Sequence, residues 1–459
     1  MKKTLIAIFV ILTIVAMIPI IGNKLVTDTL DTKIKSLESK GVRVKNSSEN
    51  ISYLKTSRHY EFLVEDTDKF LNYLSKYSRE QLPPHTNALV SGTLVGVDLK
   101  YSNIPLSEDV SLDIYPLALS KNIMNDLKDK DEDFANYIGQ FLKSKGILYH
   151  IDYNIISTDF RGFVKDIDEN YTLKNNASIA LNIADTNFEG SGDLIAPSHL
   201  TVLSKKTKLK ILNSEEEISI DIDNFRSSSK FDNKNTYLLS ANLDSLLINL
   251  KAPNRKKETI NTSKVNVNIS SNTQGKKAEI NTKLSFDNMQ LQLNNSDLNA
   301  TSFNYDVAIT ELDKFIYEEL RVLVSKSKVV NSKSLDSSIR EAMIKLLSKG
   351  MKINIVDLSL ININLDGEDL RGLKIKSDIK LIEDKHLAAK MMFSSLFILP
   401  NVDLDLKSKI SKKILNEIVS NINLPISIVD YSKSTGEDAV LDLVYKRGSL
   451  KINGKSIIN

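Results

Sequence analysis

Lys264-Val265-Asn266-Val267-Asn268-Ile269 alternates polar and apolar side chains without a break. A strand turns successive side chains to opposite faces, so this period of two puts Val265, Val267 and Ile269 on a buried face and their neighbours on a wet one. An antiparallel sheet with one covered side asks for that pattern. It spreads outward in both directions. Ile218, Ile220 and Ile222 alternate with Ser and Asp, and Leu373, Ile375, Ile379 and Leu381 alternate with Lys and Asp. Leu284 and Phe286 read as one strand, and Met289, Leu291 and Leu293 read as its return after a turn at Asp287-Asn288. From about residue 46 onward, residues 87–113, 146–224 and 237–310 form a succession of hairpins on this reading.

Helical spacing interrupts the strands in a few places. Val26, Leu30, Ile34 and Leu37 recur at four, four and three residues before Gly41, which predicts an amphipathic stalk helix over 24–45. Phe70 to Tyr77 predicts a short helix that ends before Pro83-Pro84, and Ile123 to Leu142 predicts a further pair. Asp313 to Lys349 predicts two helices broken near Asn331–Ser334. A helix near Ile410–Ile422 and a hairpin from Val440 to Ile452, turning at Lys446-Arg447-Gly448, close the chain.

The N-terminus carries a separate signal. Lys2 and Lys3 precede an uncharged stretch from Thr4 to Asn23, about 30 Å long as a helix, the thickness of a bilayer's hydrocarbon core. A cleaved signal peptide has a shorter apolar stretch and small residues before its cleavage site, which Ile20-Ile21-Gly22 does not supply. The expectation is a single-pass bacterial inner-membrane protein with its C-terminal domain in the periplasm. The longest later apolar run, Met391 to Pro400, is too short to cross a membrane and reads as a buried helix or strand.

The fold class expected is α+β and predominantly antiparallel β: one N-terminal transmembrane helix, then an elongated, curved β-rich body with a few covering helices. The divisions are 1–23 (tail and anchor), 24–45 (stalk), 46–312 (β-rich region) and 313–459 (helix pair and second β-rich region).

Composition narrows the function. A hydrophobic share of 41% over 459 residues supports a sizeable core. With 61 Lys+Arg against 58 Asp+Glu, the charge of +3 creates no global basic field, so nucleic acid is not the expected partner. Zero Cys excludes disulfides, thiolate metal sites and a Cys nucleophile. The histidines His59, His85, His150, His199 and His386 show no metal-ligand spacing, and no nucleophile elbow, phosphate loop or dinucleotide fingerprint is present. No catalytic, cofactor or metal residue is therefore nominated.

Gly190-Ser191-Gly192-Asp193 reads as a turn and Glu215-Glu216-Glu217 as a solvated strand edge. Lys205-Lys206-Thr207-Lys208 and Arg255-Lys256-Lys257 read as exposed loop tips. Asn170 and Asn299 each stand two residues after an acid in an Asn-x-Thr sequon, a pattern similar to the acceptor of bacterial periplasmic N-glycosylation.

Ser338 to Leu360 followed by Leu373–Ile382, and the closing Asp442 to Ile457, resemble the corresponding segments of the YdgA/YihF family of Gram-negative envelope proteins, a family without assigned function. Ile104 to Leu119 is similar to that family's proline-bearing segment but lacks its preceding His-Gly-Pro. The resemblance implies an envelope protein and transfers no catalytic residues. Two functions follow as expectations: a non-enzymatic protein that binds lipid or another apolar ligand along a sheet, or a structural or assembly partner of an envelope or motility machine. An enzyme is the third and least supported.

Overall fold

The computed structural model describes residues 27, 30–77, 86–104, 109–194, 196–213, 215–233, 235–253, 255–273, 275–293, 296–327, 333–391, 393–421 and 431–458. The chain divides into two compact units. The first comprises Met1–Asn176 with Leu181–Ser204, and the second Ala177–Ala180 with Lys205–Asn459.

The first unit opens with helix α1, described over residues 30–38. Leu30 and Ile34, one helical turn apart, pack on the core formed by Tyr60, Leu99, Tyr101 and Val110. Gly41 then turns the chain into the sheet at φ +92°, where its carbonyl accepts from the amides of Glu65 and Asp66. A Cβ at Gly41 would lie 2.1 Å from the Asp66 carbonyl oxygen, so this turn has no room for a side chain.

Strands β1 (Val42–Ile51), β2 (Lys55–Val64), β3 (Leu94–Ser102), β4 (Asp109–Ala118), β5 (Tyr149–Asn154) and β6 (Asp159–Val164) pair antiparallel in chain order. Helices α2 (Thr67–Tyr77) and α3 (Thr86–Val90) lie between β2 and β3, and α4 (Lys121–Lys130) and α5 (Glu132–Lys143) between β4 and β5. Ser120 and Asp131 cap α4 and α5 by accepting from the amides of Ile123 and Phe134, which is why α4 and α5 start there. After β7 (Ile167–Thr172), strand β8 (Ser178–Gly192) pairs with β6. Strand β9 (Pro197–Leu212) follows.

In the second unit β10 (Glu217–Asn233), β11 (Thr236–Lys251), β12 (Glu258–Asn272), β13 (Lys277–Leu293), β14 (Ser296–Asp313), β15 (Met351–Leu365), β16 (Glu368–Leu381) and β17 (Val402–Ser411) form one antiparallel meander. Strand β19 (Asp438–Lys446) pairs with β17 on one edge and with β18 (Lys433–Thr435) and β20 (Ser449–Ile452) on the other; β21 (Lys455–Ile458) pairs with β20. Helices α6 (Lys314–Ser327) and α7 (Lys333–Ser348) join β14 to β15. Their Tyr317 and Leu346 bury against Ala278 and Leu312 at one end of the strands. Helix α8 (Leu387–Met391) and a 3-10 helix, Ser395–Asn401, join β16 to β17. Helix α9 (Lys412–Asn421) sets Ile414 and Leu415 against Ile410, Leu441 and Ile452.

Several expectations are corrected here. The described residues form a large, mostly antiparallel sheet rather than an α+β body led by a membrane anchor, and among them no helix is long and apolar enough to cross a membrane. The longest, α7, has 16 residues, short of the roughly 20 a span needs, and carries Asp336, Arg340, Glu341 and Lys345. The single-pass inner-membrane localisation finds no support in these helices. The Thr4–Asn23 stretch on which it rested lies outside the described residues. Met391–Pro400 does not form a buried element: Phe393 is 86% and Leu396 68% exposed. Asp287-Asn288 is not a turn, because β13 runs unbroken from Lys277 to Leu293 with a paired neighbour on each side.

The reason for that last misreading organises the whole sheet. Along β12 the crowded apolar positions are Ile260, then Val265, Val267 and Ile269, an even number followed by odd ones. The parity changes at Lys264, which has φ +50°. The left-handed residue stands where the alternation inverts, so both halves of the apolar set keep to one face. Strands β10, β14 and β16 carry the same device at Asn224, Ser302 and Arg371, with φ of 51°, 54° and 59°. Ser263 faces Asn288 and Asn266 faces Ser285, so the register is unchanged across the kink. Both strands of that pair therefore change parity together. Exchanging Lys264 for Gly is expected to be neutral or slightly stabilising, whereas Lys264→Val should cost about 1–2 kcal/mol in urea unfolding, since a branched Cβ is strained there. The Lys264–Asp287 ion pair at 3.1 Å is largely exposed and adds little.

Candidate functional site

Opposed residues in a ladder share a face. In the first unit this simple rule assembles a polar row that runs directly across six strands. His59 faces Asp98, Asp98 faces Asp113, Asp113 faces His150, His150 faces Phe163, and Phe163 faces Asn187. His59 Nδ1 lies 2.7 Å from Asp98 Oδ1, and His150 Nδ1 lies 2.7 Å from Asp113 Oδ1. Lys145, just past the end of α5, reaches Asp98 Oδ2 at 2.5 Å with its ammonium 4.2 Å from the Tyr115 ring centre. The Tyr115 hydroxyl donates to Asp98 Oδ2 at 3.2 Å.

Two adjacent carboxylates repel one another, and their neighbours offset this. Burial pushes the Asp98 carboxyl up, but hydrogen bonds from Lys145 and His59 outweigh it and hold the group below its ordinary value. Burial pushes the Tyr115 phenol up, and the Asp98 charge adds to the effect. Because the folded Asp98 titrates below the unfolded one, its contribution is complete above the ordinary carboxylate range and is lost as pH falls through the folded value. Asp98→Asn should therefore lower stability by about 1–2 kcal/mol at neutral pH, with the gap to wild type closing in acid. Thermal midpoints of both proteins across that range measure it.

The row ends in a depression of about 380 Å³. Its floor is a grid of six side chains from three strands: His150, Phe163 and Asn187 in one line, Asp152, Arg161 and Glu189 in the next. Thr201 and Leu203 of β9, with Gly162 and Phe188, complete the lining. The Phe163 ring stacks on His150 at 4.9 Å and is 43% exposed. His150 Nε2 lies 3.4 Å from Asp152 Oδ1, and Arg161 Nε lies 3.9 Å from Asp152 Oδ2. Among the described residues no group of three His, Asp or Glu is placed to hold a metal ion. The two imidazoles of the row are three strand spacings apart, about 14 Å, and cannot converge on one atom.

The second unit offers a different surface. Beyond the kink line its apolar face ends in Ile218, Leu250, Leu293 and Leu365, all at the strand ends away from α6 and α7, and 41–45% exposed. Behind them lie Ile220, Ile248, Ile260, Leu291 and Ile363, which are half-buried.

Asn170 is exposed on β7 in the first unit and Asn299 is exposed on β14 in the second, where it faces Gln290 and Asn364. His59 and His150 join the row. His199 lies on β9 with Nε2 3.4 Å from Thr201 Oγ1, His386 precedes α8, and His85 lies outside the described residues. Gly190-Ser191-Gly192 ends β8, and Gly192 has φ +99°. Lys206 and Lys208 are not at a loop tip: they sit in β9 and pair with Asp223 and Asp221 at 4.0 and 3.2 Å. Sequence reasoning missed the row and the grid because their neighbouring members lie on different strands, 9 to 39 residues apart in the chain. The available signal was the alternation in His59-Tyr60-Glu61 and His150-Ile151-Asp152, which marks two wet strand faces without saying that they align.

The chain matches no protein-family model, no curated protein and no solved structure.

Proposed function

We propose that the protein acts without catalysis, by binding a lipid or another apolar ligand along the apolar face of the second unit's sheet. The observation that supports this is the constant facing of that stripe: the apolar parity changes at the left-handed residues of β10, β12 and β14 and at the positions opposite them in β11, β13 and β15. Side chains from β10 to β15 thereby stay on one side, and their outer ends remain open to solvent. Apolar area of this kind is stabilised by an apolar occupant at roughly 25 cal/mol per Å² removed from water. The resemblance to the YdgA/YihF family belongs to the same proposal. A second reading, a structural or assembly partner, draws on the exposed Phe393, Leu396 and Phe397.

The test is displacement of the fluorescent fatty acid cis-parinaric acid from the full chain. Ile218→Gln combined with Leu250→Gln should weaken its binding about tenfold, because both side chains are already two-fifths exposed and their loss does not unfold the sheet. Absence of binding by the wild-type chain, or equal affinity of the double variant, sinks the ligand reading and leaves the partner reading.

A further inference from the structure

We propose that the grid at the end of the polar row in the first unit is a binding site for a neutral saccharide. The geometry supplies what a sugar ring needs and what other ligands do not. Phe163 presents an exposed aromatic face whose other contact, His150, holds it in place at 4.9 Å. Sugar C–H groups pack on such a platform through dispersion and the negative face of the ring. Around it stand two acceptors, Asp152 and Glu189, and two donor groups, the Arg161 guanidinium and the Asn187 amide. A hydroxyl both donates and accepts, so a ring bearing several of them satisfies all four at once.

The alternatives fit less well. A phosphate would meet one guanidinium against the carboxylates of Asp113, Asp152 and Glu189. An acyl chain would strip water from four polar groups and return no hydrogen bonds. The volume, about 380 Å³, lies at the lower end of small-ligand pockets, which suits one or two rings of a chain whose remainder stays in solvent. The sheet itself fixes the spacing, since directly opposed side chains on adjacent strands sit about 5 Å apart. This site is independent of the apolar face in the second unit.

The experiment is saturation-transfer NMR on the full chain with cellotetraose, maltotetraose and chitotetraose as probes, alongside inorganic phosphate and decanoate. At least one tetrasaccharide is expected to receive saturation, with Phe163→Ala weakening its affinity about tenfold and Phe163→Tyr preserving it. Arg161→Ala provides a second variant that leaves the fold intact, because the arginine side chain is 82% exposed. It should weaken the same sugar severalfold. Silence from all three sugars, unchanged affinity in both variants, or competition for this site by phosphate or decanoate would each overturn the proposal.

Discussion

Gly372→Ala is expected to lower the thermal midpoint by about 6–12 °C, the shift that about 3 kcal/mol produces in a unit of this size. Gly372 follows the left-handed Arg371 in β16, where the pairing with β15 is irregular between Leu360 and Asn364. A Cβ there would stand 2.1 Å from the Leu360 carbonyl oxygen and 2.2 Å from that of Ile361. Both obstacles are backbone, so the two strands would have to separate and give up ladder hydrogen bonds. Gly139→Ala in α5 is the contrast. Nothing lies within 4 Å of its ideal Cβ, and an alanine in a helix interior should stabilise by about 0.5–1 kcal/mol. Calorimetric scans of the two variants, side by side, decide whether close backbone approach or glycine's flexibility governs Gly372. A midpoint for Gly372→Ala within a degree of wild type would contradict the close approach.

Aspartate substitutions along β12 probe the kink line more broadly. Ile260 and Val267 are seven residues apart, an odd separation that an uninterrupted strand would place on opposite faces. With the alternation inverted at Lys264, both belong to the crowded apolar side. Ile260 lies opposite Ile248 and Leu291, and Val267 opposite Ala241 and Leu284. Ile260→Asp and Val267→Asp should each cost at least about 2 kcal/mol, because a carboxylate is forced among apolar neighbours. Asn261→Asp and Asn268→Asp, also seven apart and exposed, should stay within about 0.5 kcal/mol. Urea unfolding of the four variants gives the pattern. If one residue of each pair were silent and the other damaging, the inversion at Lys264 would be refuted and a continuous alternation restored.

Much of the local structure was legible because strands and helices write their periods directly into the chain. Ile218-Ile220-Ile222 lies on β10 and Val265-Val267-Ile269 on β12. The helix pair between Asp313 and Lys349 and the hairpin at Lys446-Arg447-Gly448 stand where their patterns placed them. Leu30 and Ile34 pack on the sheet as an amphipathic spacing requires. The Met289-Leu291-Leu293 run was misread because a change of parity has two causes, a reversal of the chain or a left-handed residue in the sheet, here Lys264 of the neighbouring β12. Ordinary side chains such as Lys264 and Ser302 do not announce a left-handed backbone as glycine does. Met391–Pro400 was misread because hydrophobicity records a tendency to be buried, not the presence of a partner, and among the described residues none covers Phe393 or Leu396.

The candidate sites separate along the same line. By itself the amino-acid sequence determined that this is a sheet protein without thiols, with no familiar catalytic motif, and with helices at a few definite places. Periodicity and composition are local quantities and survive without knowledge of neighbours. Only the tertiary structure decided that His59, Asp98, Asp113 and His150 share one row, that Phe163 lies among Asp152, Arg161 and Glu189, and that the apolar stripe of the second unit keeps to one face. Those facts depend on register, and a slip of one residue in any pairing would send every side chain of that strand to the other face. Register is set by where hairpins close and by which residues leave the β region. Both are settled by packing between strands that the chain holds far apart.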